Sequence, residues 1–470
     1  MHWKYFLIEC CCLNNNSFVI KSSALKRVIS KSSSILLVIG IMIGTGIFKK
    51  IVPMASSGLN ETYIIAAWIL AGLVTLMGAL SISALSNLTE DAGGEYEYLR
   101  IIFGGFTAFI FGWASFTIIG SASVAAMSFL FTQSFNSIFH LSFLDSPINA
   151  KVFSCIVICL LTALNVVGTR KSTAVNNFLT FTKIIGIVIL IIGGFFFIQS
   201  ADISNSPNSS IDFSALSNLT SIFFAAMLSA FWAYDGWLSV AFMSGEIKNP
   251  TRNVAISIVV GVAIVMILYV LINIAFLRVI PLKTLAHMKE DEIAAAEVTT
   301  ILFGKFGHVF ISIFILLCTI GSLNGIIITY SRMYYKMARD GFFFKKASVI
   351  HTNYETPFYA LIYAMIISCL LVFSGSFDIL TDMIVFAGFL FYAMLAIGVF
   401  IMKKRGKINP VGIGYPIVPV FFVLFSIVLL INTCISQPLQ TIAGVGLMLS
   451  GVPFYYYFKF KKRKVDFVND

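Results

Sequence analysis

The sequence predicts an all-α integral membrane protein of twelve transmembrane helices, the first and sixth discontinuous at mid-span. Three observations predict it. Of 470 residues, 59% are hydrophobic and 11% charged, with a mean hydropathy of +0.94, whereas an average soluble domain carries about 25% charged residues. The apolar residues fall in uncharged runs near the roughly 20 residues a helix needs to cross hydrocarbon, not in the ten-residue alternation of a barrel. Two runs carry disruptive centres: Gly40, Gly44 and Gly46 in the first, and Trp232-Ala233-Tyr234-Asp235-Gly236-Trp237 in the sixth. A mid-helix glycine costs about 1 kcal/mol relative to alanine. A break at bilayer depth frees N–H and C=O groups that survive only against a cavity or ligand. Paired breaks in corresponding positions of two halves point to a transporter's binding site.

Taken in order, segment 1–32 has no long apolar h-region or cleavage site, so it reads as a cytoplasmic N-terminal segment and not a signal peptide. Its Cys10-Cys11-Cys12 run is a weak acylation signal. Spans follow at 33–53, 62–86, 101–131, 152–168, 176–199, 219–245, 253–277, 306–331, 357–374, 383–402, 415–435 and 439–458. Most of the 32 Lys and Arg residues lie on loops of the side that holds both termini, which places both termini in the cytoplasm. The richest clusters, Arg332 to Lys346, Lys403 to Lys407 and Lys459 to Lys464, read as lipid-phosphate anchors, so a net charge of +11 does not imply nucleic acid. The loop 202–212, free of Lys and Arg, reads as an outside connector, and 285–297 as a short outside surface helix. Glu90 to Glu95 is acidic on a cytoplasmic loop, which counts little in the charge rule. The eight cysteines form no disulfide framework.

Broken helices recognise a small zwitterion without charged side chains. The half-helix beginning near Gly46 offers free N–H groups and a positive dipole end to a carboxylate, and the one finishing near Trp232 and Ala233 offers carbonyls to an ammonium. The competing reading of Gly40 and Gly44 is close helix packing through GxxxG spacing. Asp235 either caps the half-helix after Gly236 or touches the ligand; an ionisable group at that depth costs at least about 2.5 kcal/mol unless it meets a cavity or partner. Lys183 is the one cation inside an apolar span. It either bonds carbonyls freed by a break, carries a proton, or snorkels to the nearby surface. Trp232 and Tyr234 either close over a substrate or pack in the core.

The motifs IGTGIF (Ile43 to Phe48), AGGEYEYLRIIFG (Ala92 to Gly104), NVVGTRKS (Asn165 to Ser172), FWAYDGW (Phe231 to Trp237), GEIKNPTRN (Gly245 to Asn253), GSLNG (Gly321 to Gly325) and MARDG (Met337 to Gly341) occur in this order. In them the chain resembles the amino acid, polyamine and organocation superfamily, and within it the L-type amino acid transporters and their bacterial relatives. The resemblance runs from Ser33 to about Phe458. It implies a LeuT-like 5+5 inverted repeat in a core of residues 33–402 (33–199 and 219–402), two additional helices in 403–458, and a cytoplasmic tail in 459–470. It also implies substrate contacts at Ile43, Gly44, Thr45, Gly46, Trp232, Ala233 and Asp235, with coupling at Lys183. Gating is implied at Trp232, Glu246 and Arg339. A lysine matching Lys183 stands in the region of a sodium site of sodium-coupled cousins, so sodium independence is implied. Two features depart from the family pattern: Lys49 and Lys50 on the outer arm of span one, and segment 1–30, which matches nothing in it.

The function expected is alternating-access transport of small L-amino acids across the cell membrane, by exchange or with protons, for neutral substrates. Side-chain specificity would be set by neighbours such as Trp232, Leu238, Ser121 and Ser322. Polyamines or cationic amino acids, drawn by Asp235, are the alternative. A channel lacks a repeated filter, and a membrane-embedded enzyme lacks a His, Asp or Ser constellation, since His2, His140, His287, His308 and His351 all lie near loops or span ends. The expected partners are the amino acid and the bilayer, with no nucleic acid, cofactor or metal. No outside-loop cysteine supports a covalent heavy chain.

Overall fold

The computed structural model describes residues 26–196, 216–288, 293–374, 377–409 and 414–469. The acylation signal and the 202–212 connector lie outside these residues. Among the described residues, ten helices are long and apolar enough to cross a membrane and Phe358–Ser374 is a shorter apolar one. Hydrocarbon leaves backbone groups no partner but each other, so apolar runs of this length become helices.

The first run forms three pieces: α1 (Lys31–Met42), α2 (Gly46–Lys49) and α3 (Ile51–Ser56). Ser30 caps α1 by accepting from the Ser33 N–H, and Asn60 caps α4 (Glu61–Ile82) by accepting from Tyr63. α5 (Gly94–Phe103) starts from left-handed Gly93 and Gly94, at φ 113° and 44°. A Cβ on Gly94 would come within 2.7 Å of Ala241 and Phe242 backbone atoms, so only glycine lets this turn approach. α6 (Gly105–Ala114) leads through a π segment, Ser115–Ile119, into α7 (Gly120–Phe139).

α8 (Pro147–Val166) and α9 (Thr169–Phe196) close the first half. Both expose large apolar side chains, including Leu160, Phe178 and Phe181, as a lipid-facing surface requires.

α10 (Leu216–Tyr234) ends at the second break, which passes into a 3-10 segment, Ser239–Glu246. α11 (Pro250–Val279) follows, then the short α12 (Leu282–His287). The surface helix expected at 285–297 therefore begins earlier, set by Pro281 just before it, and α13 (Ala294–Arg339) has absorbed its alanines. α13 is two helical pieces, 294–303 and 305–339, separated at Gly304, whose φ of 62° and ψ of −147° are not helical. α14 (Phe358–Ser374), α15 (Phe377–Lys404), α16 (Ile417–Ser436), α17 (Pro438–Leu449) and α18 (Gly451–Asn469) complete the chain.

Around the breaks the packing is dense. α1 lies against α9, α11 and α13, and α10 against α4. A Cβ on Gly40 would sit 2.2 Å from Thr180 Oγ1, so Gly40 is a packing glycine. Trp68, Tyr234 and Tyr269 form an edge-to-face cluster with centroids 5.0 to 6.0 Å apart. Asn165, Ser172 and Asn324, all buried, bond to one another at 2.7 to 3.1 Å and tie α8, α9 and α13 together. This is what the NVVGTRKS and GSLNG motifs build.

The start of the described chain and α18 both pack against the segment between α13 and α14, through Lys26 to Glu355 and a Phe344–Phe458 ring contact at 5.7 Å; this side is the termini face. There Ile29 pairs with the strand-like stretch after the second break, through Ile29 N–H to Glu246 O (2.9 Å) and Lys248 N–H to Ile29 O (3.0 Å). Arg27 bonds to Glu90, and Lys26 to Glu355 at 2.6 Å.

Candidate substrate site between two broken helices

The first break leaves backbone donors unused. Gly44 N–H is taken by Met42 O at 2.8 Å, and the next backbone donors engaged are Phe48 and Lys49, both bonding to Thr45 O. Among the described residues the N–H groups of Thr45, Gly46 and Ile47 have no partner, and the buried Thr45 hydroxyl has none either. Three amides and a hydroxyl left open at a helix start are able to bond an anionic group such as a carboxylate.

Facing them is the end of α10. Asp235 N–H bonds to Trp232 O at 3.2 Å and not to the Phe231 carbonyl four residues back, so the helical ladder stops here. A Cβ on Gly46 would meet Ala233 Cβ and Trp232 Cζ3 at 2.9 Å, so Gly46 is where the two breaks touch. Tyr269 on α11 holds both: its hydroxyl lies 2.6 Å from Met42 O and 3.1 Å from Ala233 O.

Lys183 does not reach the surface. It is fully buried, and its ammonium donates to Gly40 O and Ile43 O, both at 2.7 Å, and to Ser322 Oγ at 2.9 Å. Ser322 lies 3.0 and 2.9 Å from the same carbonyls. A cation thus stands against acceptors that the break in span one frees, and strain at the break is relieved by side chains of α9 and α13.

A cavity of about 20 Å³ lies between the breaks, lined by Gly44, Gly46, Met127, Trp232, Asp235 and Tyr330 among others. This is room for about one water. Asp235 lines it and accepts from Tyr392 Oη at 3.0 Å, and Gly236 behind it is left-handed at φ 89°. Ile43 contributes its carbonyl to Lys183 and not to this lining, and Ser121 lines a separate small cavity.

On the termini face the cavity is sealed by ion pairs. Arg332, fully buried, donates to Glu246 Oε1 at 2.8 Å. Arg100 grips Glu97 with two bonds of 2.6 and 2.8 Å, and Lys336 lies 3.2 Å from Asp91, 3.6 Å from Glu97 and 3.4 Å from Asp340. Arg339 is exposed, its guanidinium 5.8 Å from the Tyr335 ring centroid, so Glu246 is brought to Arg332 rather than to Arg339. Toward the opposite face lie two larger cavities, of about 830 Å³ beside Lys283, His287, Glu297 and His308, and about 290 Å³ beside Lys49 and Lys50.

Tyr269, Tyr392 and Arg332 escaped the sequence reading. Tyrosines inside apolar runs look like core residues, and Arg332 looked like one more member of a surface cluster.

Comparison with known proteins gives this geometry its family. Residues 29–457 match the model of the amino acid permease family. The chain is 30% identical over 438 residues to the serine/threonine exchanger SteT of Bacillus subtilis, covering 92% of this chain and 96% of that one. It is 29% identical over 438 residues to mouse b(0,+)-type amino acid transporter 1, covering 92% and 87%. It is 28% identical over 434 residues to the human cystine/glutamate transporter, covering 92% and 85%. A family match across nearly the whole chain, joined to two broken helices meeting at Gly46, identifies a multi-pass membrane transporter and not an enzyme: the chain belongs to the amino acid permease family, within the amino acid, polyamine and organocation superfamily.

Proposed function

We propose that this protein is a sodium-independent exchanger of small neutral L-amino acids with a LeuT-like 5+5 inverted repeat of twelve spans and both termini in the cytoplasm. The observation that carries the reading is the pair of facing helix ends, free amides at Thr45 to Ile47 opposite the end of α10, touching at Gly46. The α-carboxylate sits on the amides and the Thr45 hydroxyl; the α-ammonium sits on carbonyls at Phe231 to Ala233. The names of the relatives, among them an exchanger of serine and threonine, support antiport of small neutral substrates.

Lys183 keeps the place of a coupling ion by bonding two carbonyls of the first break. Trp232 gates the far face, and Glu246 with Arg332 gates the termini face, with Arg339 at its rim. Asp235 shapes the second break, since Tyr392 engages one of its oxygens; this supports neutral over cationic substrates. No covalent heavy chain is required, and the membrane is the cell membrane.

The test is counterflow in proteoliposomes with a panel of labelled amino acids, with and without a pH gradient. Saturable uptake that needs an internal amino acid and ignores sodium is expected. Ohmic flux, or uptake that needs no counter-substrate, would overturn the exchanger reading. Putrescine and arginine serve as competitors, and strong competition by either would return the cationic reading.

A further inference from the structure

Two basic clusters distant in sequence meet at one point of the termini face. Phe344, in the segment between α13 and α14, packs against Tyr363 of α14 at 5.3 Å and against Phe458 of α18 at 5.7 Å. This contact brings the exposed Lys345 and Lys346 beside the turn of α18 that carries Lys459 and Lys461. Three of these ammonium groups lie over rings: Lys346 over Tyr359 at 5.8 Å, Lys459 over Tyr455 at 5.6 Å and Lys461 over Tyr457 at 5.8 Å. A ring face attracts a cation without consuming its N–H groups, so the donors stay open. Elsewhere on this face Lys26, Arg27, Arg100, Arg332 and Lys336 are all ion-paired. Among the described residues no carboxylate pairs with Lys345, Lys346, Lys459 or Lys461. Four like charges gathered without a counter-charge repel one another, and only an anion from outside the chain relieves them.

Below the lysines the surface is apolar. Tyr359, Tyr363, Ile366 and Leu370 follow one another at spacings of three and four along α14 and form one stripe, on which Ile366 and Leu370 are exposed. Across the seam α18 exposes Phe454 and Tyr457. A cationic cluster at the head of an exposed apolar stripe matches a molecule with an anionic head and apolar tails.

We propose that the seam where Phe344 joins α14 to α18 is a binding site for one anionic phospholipid. Lys345 and Lys346 on one side and Lys459 and Lys461 on the other hold the headgroup phosphate, and the acyl chains lie along Ile366 and Leu370. A diffuse surface potential would use every exposed lysine of this face alike, whereas this site uses these four. The proposal is independent of which substrate the protein carries.

The experiment is native mass spectrometry of the purified full-length chain titrated with phosphatidylglycerol, and separately with phosphatidylcholine of the same acyl chains. The first phosphatidylglycerol should bind at least about a hundredfold tighter than phosphatidylcholine, since each lysine near an anionic lipid is worth about threefold to fivefold. Lys345→Gln/Lys346→Gln and Lys459→Gln/Lys461→Gln should each weaken that step by about tenfold or more. Lys248→Gln/Arg252→Gln, an equally exposed basic pair beside the start of α11 on the same face, should change it less than about twofold. Added phosphatidylglycerol should raise the melting temperature of the wild type and leave that of the two lysine variants unchanged.

Equal affinity for the two lipids overturns the site, whether or not any variant folds. Equal weakening by Lys248→Gln/Arg252→Gln overturns it too, because surface charge alone would then suffice. Release of phosphatidylglycerol by excess inorganic phosphate would show a soluble-anion site and likewise contradict the proposal.

Discussion

At the scale of single residues, two side chains determine whether the breaks are usable. Lys183 satisfies Gly40 O and Ile43 O. Replacing it by alanine leaves the single Ser322 hydroxyl proton for two buried carbonyls, so one of them loses its donor, at a cost of about 1 to 3 kcal/mol. Lys183→Ala should cut L-amino acid counterflow by at least about tenfold or change its coupling; unchanged exchange with unchanged pH dependence would show that the lysine only fills space. Tyr269→Phe removes one hydroxyl shared by Met42 O and Ala233 O. It should raise KM by about threefold to tenfold while leaving the chain inserted, which thermal shift in detergent and counterflow together would read. Gly46→Leu should abolish counterflow without blocking insertion, because a Cβ there already meets Ala233 and Trp232 at 2.9 Å.

That Gly46 and Lys183 would meet at the first break was legible because glycine and an isolated cation are anomalies in an apolar run. Their partners were not, since Ser322 and Tyr269 are ordinary residues of helices far away in the chain. Gly44 shows the limit more finely: its amide was expected to hold the carboxylate, yet it bonds to Met42 O, and the unused donors are one residue further on. Such a shift depends on the turn the backbone takes after Ile43, which no spacing rule specifies.

At the scale of elements, the termini face is closed by α5, the 3-10 segment after the second break and the inner end of α13. Removing one member of a buried ion pair costs about 3 to 5 kcal/mol because the other charge is left uncompensated. Glu246→Gln should therefore favour the state open to the termini face. A cysteine placed at Ser239, on the cavity wall, should then react at least about tenfold faster with an impermeant thiol reagent applied to that face; an unchanged rate would mean that Arg332 seals nothing.

Glu95 on α5 adds a pH dependence. It is 3% exposed, with Asp235, Tyr98, Tyr330 and Tyr392 around it, while Arg100 and Lys336 are engaged by Glu97. Burial first, and the nearby Asp235 carboxyl second, push the Glu95 carboxyl well above the usual glutamate range. The closed state thus binds a proton that an opened, hydrated Glu95 releases. Acid favours the closed state, and rising pH favours opening once it exceeds the hydrated pKa of about 4.3. Glu95→Gln should flatten the pH profile of counterflow from the termini face; a profile that overlays wild type would exclude Glu95 as its source.

At the scale of the whole molecule, hydropathy and charge made the helical membrane fold legible, because lipid permits few alternatives. Where the chain is not lipid-facing, the boundaries moved. The alanine-rich surface stretch forms its own helical piece, 294–303, which left-handed Gly304 at φ 62° and ψ −147° separates from the eighth run, and that run continues as helix to Arg339. The buried polar triad of Asn165, Ser172 and Asn324 was visible only as motifs, because Asn324 lies 159 and 152 residues from the other two and meets them only in the fold.

The central claim is that main-chain atoms of two interrupted helices hold the two ends of a zwitterion. Its most direct test is the structure of the full-length protein with a transported amino acid bound. The α-carboxylate should lie within about 3 Å of the amides of Thr45, Gly46 and Ile47, and the α-ammonium at the carbonyls ending α10. A substrate held by side chains elsewhere, with both breaks untouched, would contradict the account.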